Sequence, residues 1–212
     1  MKQVQGVWLP SADTHFQQMM RKEPLRLYGK NNVGCYQHFK IDRALSLTER
    51  RGVALDIGAH VGFWSMWLAP EFAQVHAFEP VPDHADCFRL NVKAQNVTLH
   101  EHAVGSCAGV TGVNAHADNS GKSALVKGDA VEVRSIDSYG FQDVALIKID
   151  VEGYEPEVLL GSADTMARCK PLVVFEDNGQ HERYGFESPQ VVAERLGMKP
   201  VCQMGRDWIY QC

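Results

Sequence analysis

No apolar run in this chain approaches the ~18 residues of a membrane span, and residues 1–16 lack the charged-then-apolar pattern of an export signal. No membrane contact is expected, and the chain reads as cytoplasmic. A basic excess is missing too: 21 Lys and Arg stand against 26 Asp and Glu, for a formal net charge of -5. Without one, neither nucleic acid nor anionic lipid is an expected partner. The six cysteines, Cys35, Cys87, Cys107, Cys169, Cys202 and Cys212, include no Cys-x-x-Cys pair and no zinc-type Cys/His spacing. They read as reduced thiols used mostly as core filler, with Cys212 exposed. There is no internal repeat, low-complexity tract or linker to divide the chain.

What is present is an ordinary composition, 45% hydrophobic and 22% charged over 212 residues, long enough to bury about two-thirds of the unfolded surface. From residue 51 onward, β-branched runs at 53–57, 75–78, 97–100, 144–149 and 172–175 alternate with helix-like stretches. One such stretch, 63–69, is stopped by Pro70; another, 82–95, carries Phe88 and Val92 on one face. This alternation predicts an α/β, doubly wound, mostly parallel sheet. Ser188 and Pro189 start a last helix that Gly197 stops, and 200–203 with 208–211 predict an antiparallel hairpin at the sheet edge. Residues 105–128, with five glycines, read as short strands and a mobile loop. Helix-like stretches at 14–22 and 41–50, around a Gly/Asn-rich loop at 29–34, make 1–50 a helical flank or lid of a domain spanning 51–212.

The first strand runs into Asp56-Ile57-Gly58-Ala59-His60-Val61-Gly62-Phe63, the form of a nucleotide-binding loop or of a plain strand-to-helix turn. Glu79 lies 23 positions after Asp56 at the end of the second strand, where it could accept hydrogen bonds from a ribose diol or simply be solvated. The Gly-x-x-x-Gly spacing omits the glycine that lets backbone approach a pyrophosphate. Asp56, Asp150, Glu152, Glu176 and Asp177 crowd the predicted carboxyl ends of the strands. Such a rim repels dinucleotide phosphates and suits the ammonium and sulfonium of S-adenosylmethionine. A nicotinamide-dependent reductase is disfavoured on both counts.

Four ordered blocks carry a resemblance: Val53-Ala-Leu-Asp-Ile-Gly-Ala-His-Val-Gly62; Val75-His-Ala-Phe-Glu-Pro80; Leu90-Asn-Val92 with His102-Ala-Val-Gly105; and Ile136-Asp-Ser138 with Ile147-Lys-Ile-Asp-Val-Glu-Gly-Tyr-Glu155. In these the chain resembles the FkbM-type S-adenosylmethionine-dependent methyltransferases. The resemblance implies a class I, Rossmann-like fold with a seven-stranded sheet, S-adenosylmethionine as cofactor, and methylation of a hydroxyl on a sugar, glycoconjugate or small natural product. Carried onto this sequence, Asp56, Gly58 and Gly62 would hold the methionine end and Glu79 the ribose. Ala103 and Val104 would meet the adenine, with His60, Pro80 and His102 completing the cofactor contacts. Asp150 would sit by the methionine amine or the reacting centre.

An alcohol acceptor must lose a proton, and Asp150, Glu152 and His181 are the candidate bases. Glu152 or Glu155 could instead cap the helix after Gly153, and His60 and His181 could be ordinary loop histidines. Glu176-Asp177-Asn178 is locally similar to catechol-type O-methyltransferases, which makes Asp150, Asp177 and Asn178 a candidate magnesium set. Trp64, Trp67, Phe72, Phe78 and Phe88 read as core, His76 and His100 as satisfied strand histidines, and Tyr154, Tyr184 and Trp208 as substrate walls. Two other functions remain in view, a cofactor-binding scaffold without turnover and a nucleic-acid methyltransferase. The latter lacks both a basic face and an Asn/Asp-Pro-Pro-Tyr/Phe motif. Nothing in the sequence sets an oligomeric state.

Overall fold

The computed structural model describes residues 1–22, 26–28, 33–116 and 118–212, with 21–22, 26–28 and 33–35 described in backbone alone. Most of the Gly/Asn-rich loop expected at 29–34, and the side chain of Cys35, lie outside the described residues. In chain order, a hairpin of β1 (Lys2–Val4) and β2 (Val7–Leu9) leads to α1 (His15–Lys22), a hairpin of β3 (Arg26–Tyr28) and β4 (Val33–Cys35), and α2 (His38–Leu47). The alternating part follows: β5 (Val53–Ile57), α3 (Phe63–Leu68), β6 (Gln74–Phe78), α4 (Pro82–Asn91) and β7 (Val97–His100). Next come β8 (Ala103–Val104), β9 (Gly109–Asn114) and β10 (Ala124–Arg134), which form a separate three-stranded sheet. The chain ends with β11 (Val144–Ile149), α5 (Glu155–Leu160), α6 (Ala163–Cys169), β12 (Leu172–Glu176), α7 (Pro189–Arg195), β13 (Lys199–Met204) and β14 (Asp207–Gln211).

The main sheet has seven strands in the order β13-β14-β12-β11-β5-β6-β7. Strands β12, β11, β5, β6 and β7 are parallel; at one edge β14 pairs antiparallel with β12, and β13 pairs antiparallel with β14. Strands β5 and β11 are buried along their whole length, as parallel strands covered on both faces must be. Period-2 alternation then sends neighbouring residues to opposite cores. Val53, Leu55 and Ile57 pack with Val158, Met166 and Val192 of α5, α6 and α7, whereas Ala54 packs with Ile41 of α2 and Trp64, Trp67 and Leu68 of α3.

Two expectations change. The helix at 82–95 ends at Asn91, because Val92 turns extended and packs beside Gly62. The glycine-rich span holds the expected strands, β9 and the start of β10, and β10 runs on to eleven residues, bulging between Val126 and Val131 to stay paired with β9. The N-terminal flank is also more than helical, since its first hairpin docks on α4. Asn91 accepts from Trp8 N–H at 2.7 Å and donates to Trp8 O and Val61 O, so one block residue ties the flank to the glycine loop.

Candidate active site

Beyond Ile57 the chain must turn at once, because Gly58 takes φ +75° and a Cβ there would lie 1.8 Å from the Asp150 carbonyl oxygen. The loops after β5 and β11 therefore touch backbone to backbone at the carboxyl edge of the sheet. Beside this contact lies a cavity of about 380 Å³, within the range of small-molecule sites. Gly58, His60, Glu79, Pro80, His102, Ala103 and Val104 line it, as do Asp150 and Glu152. Gly62 does not. At φ +95° it precedes α3, and a Cβ there would meet Val92 at 2.6 Å and Phe88 at 3.0 Å, so it is a spacer between α3 and α4.

Glu79 is buried and already occupied. One oxygen accepts from His60 N–H at 2.8 Å; the other accepts from Val81 N–H at 2.9 Å and faces His84 Nδ1 at 3.2 Å. Of about four lone-pair positions on a carboxylate, that leaves roughly one for a ligand hydroxyl. His102 Nδ1 donates to Ala103 O at 2.9 Å, so its Nε2 is the acceptor for the Tyr139 hydroxyl.

Asp56 does not line the cavity. It is fully buried, accepts from Ser65 Oγ at 2.7 Å and pairs with Lys148 Nζ at 3.1 Å. Gly58 and His60 line the cavity in its place, and Asp56 is the counter-ion of Lys148. Lys148, the first residue of the Lys-x-Asp-x-Glu-Gly run, also donates to Gly58 O at 2.6 Å and so fixes the loop from below. Burial opposes its charge, but Asp56, Asp150 and Glu79 together outweigh burial and raise its pKa. Sequence reasoning passed over Lys148, although a lysine inside an otherwise apolar strand was the available signal.

Carboxylates dominate the other wall. Oxygens of Asp150, Glu152 and Glu176 all lie within 4.8 Å of one another. Burial, then the charge of Asp150, pushes Glu152 up to about 8 and Glu176 up to about 7. Glu152 adopts φ +55°, a strained value for a residue with a Cβ, and its Oε2 accepts from Gln180 Nε2 at 2.5 Å. Glu155 is not a helix cap. It reaches back to accept from Val151 N–H at 3.0 Å, bracing the turn that carries Glu152, and burial raises it to about 7.

Several expected site residues point elsewhere. His181 lies beside Asp177 at 3.3 Å and does not line the cavity. Asp177, also outside the lining, accepts from Gly179 N–H; Asn178 does line the cavity, accepting from Gln180 N–H while donating to Glu176. Of the expected magnesium set, Asp150 belongs to the trio of carboxylates whose oxygens converge, Asn178 stands beside it on Glu176, and Asp177 does not line the cavity. Tyr154, Tyr184 and Trp208 are not walls: Tyr154 and Tyr184 pack on each other and on Phe186, and Trp208 packs against the core. The walls come instead from Phe16 and Tyr36 of the flank and from Phe63 and Trp64, the latter both core and lining. Lys122 and Arg206 stand exposed at the lining. Among the described thiols, Cys107 is exposed and Cys212 is partly covered.

The fold and this geometry can be set against known proteins. A crystal structure of methyltransferase FkbM from Methylobacillus flagellatus KT superposes with a TM-score of 0.51 at 17% identity, covering 77% of this chain and 44% of that one. This chain therefore spans less than half of that relative. A precorrin 8w decarboxylase from Methanobacterium thermoautotrophicum gives a TM-score of 0.53 at 15% identity, covering 84% of this chain and 92% of that one. Likeness at such identities establishes the shared class I methyltransferase fold. No curated protein sequence matches significantly. Residues 56–200 match the methyltransferase FkbM domain. That stretch holds the glycine loop, Glu79, Lys148 and the three converging carboxylates, and the chain belongs to the FkbM methyltransferase family.

Proposed function

We propose that this protein transfers a methyl group from S-adenosylmethionine to a hydroxyl oxygen of a sugar, glycoconjugate or small natural product. One observation carries the reading: the cavity holds a carboxyl, Glu152, whose pKa of about 8 suits it to take a hydroxyl proton at neutral pH. When bound, S-adenosylmethionine supplies an electrophilic methyl on a sulfonium. Gly58, Glu79, Pro80, His102, Ala103 and Val104 are the residues that would hold it, and the acidic lining favours its cationic groups. The remaining lone pair of Glu79 is available to a ribose hydroxyl, and the Lys148 ammonium keeps the Gly58 carbonyl in place.

Glu152 is the proposed base. Its oxygen is held by Gln180, and burial, then the nearby Asp150 and Glu176, keep its proton affinity high, so it can accept a proton as the acceptor oxygen is alkylated. Phe16, Tyr36, Phe63 and Trp64 line the cavity and offer flat apolar faces to an acceptor such as a sugar ring. Positioning the acceptor behind the methyl group then supplies much of the rate, up to ~7 kcal/mol or more. Calorimetric titration with S-adenosylhomocysteine tests the reading: wild type binds, and Glu79→Ala loses binding. Absence of binding by the wild type would sink the proposed cofactor and with it the activity.

A further inference from the structure

One buried run of hydrogen bonds extends beyond the FkbM domain into the flank. Asp13, fully buried and 43 residues ahead of the matched stretch, accepts from Phe16 N–H at 2.8 Å through one oxygen. Its other oxygen accepts from Ser120 N–H at 2.9 Å and from the Ser120 hydroxyl. Ser120 Oγ in turn lies 2.7 Å from His60 Nε2. Around this contact, Thr14 and His15 N–H both donate to Asp118 O, so α1 and the turn before β10 are clasped together over the glycine loop.

Proton inventory orders this run. A carboxylate only accepts, and a serine hydroxyl has one proton to give. That proton goes to Asp13, so Ser120 Oγ must accept from His60 Nε2–H. Burial first, then His84 and Lys148, hold the His60 pKa well below its ordinary value, so the ring is neutral. Its Nδ1 therefore carries the lone pair. That atom has no hydrogen-bond partner among the described residues, although His60 lines the cavity and its own N–H anchors Glu79.

We propose that Asp13 and Ser120 are positioning residues that hold His60 in the Nε2–H tautomer, so that Nδ1 accepts a hydrogen bond from a hydroxyl or ammonium of the bound methyl donor. The inference rests on the methyl-donor reading above. Without the carboxylate, the serine proton is free to turn toward Nε2; the imidazole proton then moves to Nδ1, and the acceptor becomes a donor facing ligand donors. The flank is thus a working part of the cofactor site as well as a cover for it.

The test combines nitrogen-15 NMR of the histidine rings in the ligand-free protein with titration by S-adenosylhomocysteine. The His60 signals are those missing from His60→Gln. Wild type is expected to show Nε2–H, while Asp13→Asn and Ser120→Ala show a mixed or Nδ1–H ring and bind about 10-fold more weakly. A merely structural contact would not change the tautomer. Should Asp13→Asn fail to fold, Ser120→Ala decides alone, since it leaves the backbone bonds to Asp13 in place. An Nδ1–H wild type, or variants that keep both the tautomer and the affinity, would overturn the proposal. Wild type that binds no S-adenosylhomocysteine would overturn the methyl-donor reading and the ligand half of the inference, while the spectra still decide whether Asp13 and Ser120 set the ring.

Discussion

On the glycine-loop wall of the cavity, charges are matched within the protein. Glu79 is held by two backbone N–H groups and His84, Asp56 by Lys148 and Ser65, and His60 by Ser120. On the wall after β11 and β12, Asp150, Glu152 and Glu176 crowd together; the carboxamides of Gln180 and Asn178 donate to Glu152 and Glu176, and the charges of Lys40 and Arg206 offset the crowding at Glu176 only in part. The first arrangement gives a fixed shape, as recognition of a cofactor requires. The second stores proton affinity, as a base requires. One fold edge supplies both because parallel strands end there, and the residues just past the strand ends are free of the sheet's hydrogen bonding.

The sharpest way to separate the walls is Glu152→Gln. It should lower kcat by about 10²–10⁴ while leaving S-adenosylhomocysteine affinity unchanged. Steady-state kinetics beside calorimetry would show this, and an equal loss of binding would merge the two walls into one function. Lys148→Met attacks the matched wall from beneath. It leaves Asp56 buried and uncompensated, with an expected loss of about 3–5 kcal/mol in stability. Thermal denaturation reads it out, and adding Asp56→Asn should recover much of the loss; no recovery would mean that the pair does not act as a unit.

A gentler separation uses pH. Glu152, Glu155 and Glu176 are raised to about 8, 7 and 7 in the folded protein, first by burial and then, for each, by charge that includes Asp150. Folded values above the unfolded value of about 4.3 mean that the stability contributed is complete below that pH. It is lost as pH rises through 7 and 8. The melting temperature should therefore fall between pH 5 and pH 8 by less in Glu152→Gln than in wild type, and parallel curves would remove Glu152 from the account. Over the same window kcat/KM should rise, with apparent values belonging to the carboxyl group as a whole. The smallest expected effect is that of EDTA. With Asp177 and Asn178 engaged in turns, turnover should be unchanged, and a loss restored by Mg²⁺ would assign the trio to a cation in place of a proton.

How much of this was legible beforehand depended on the range of the interactions. Strands 53–57 and 144–149 were legible because parallel strands buried on both faces need unbroken apolar runs, and Ser188-Pro189 and Gly197 marked α7 through local backbone chemistry. The placement of Gly58, Glu79, Asp150 and Glu152 at one cavity was legible because their positions follow from strand ends. The fate of Asp56, Asp177 and His181 was not, since each is decided by a partner brought up by folding or by the local turn: Lys148 from a neighbouring strand, Gly179 N–H in the turn, and Asp177 itself for His181.

Sequence by itself determined the alternation of strands and helices, the glycine loop and the acidic character of the strand ends, because these rest on period, turn chemistry and residue type within a few positions. Tertiary structure alone decided which acids became counter-ions and which hold their protons to higher pH. It also brought Asp13, Ser120 and His60 together across 107 residues of chain. Burial and the distance between charges fix a carboxylate's role, and neither quantity exists until the chain has folded.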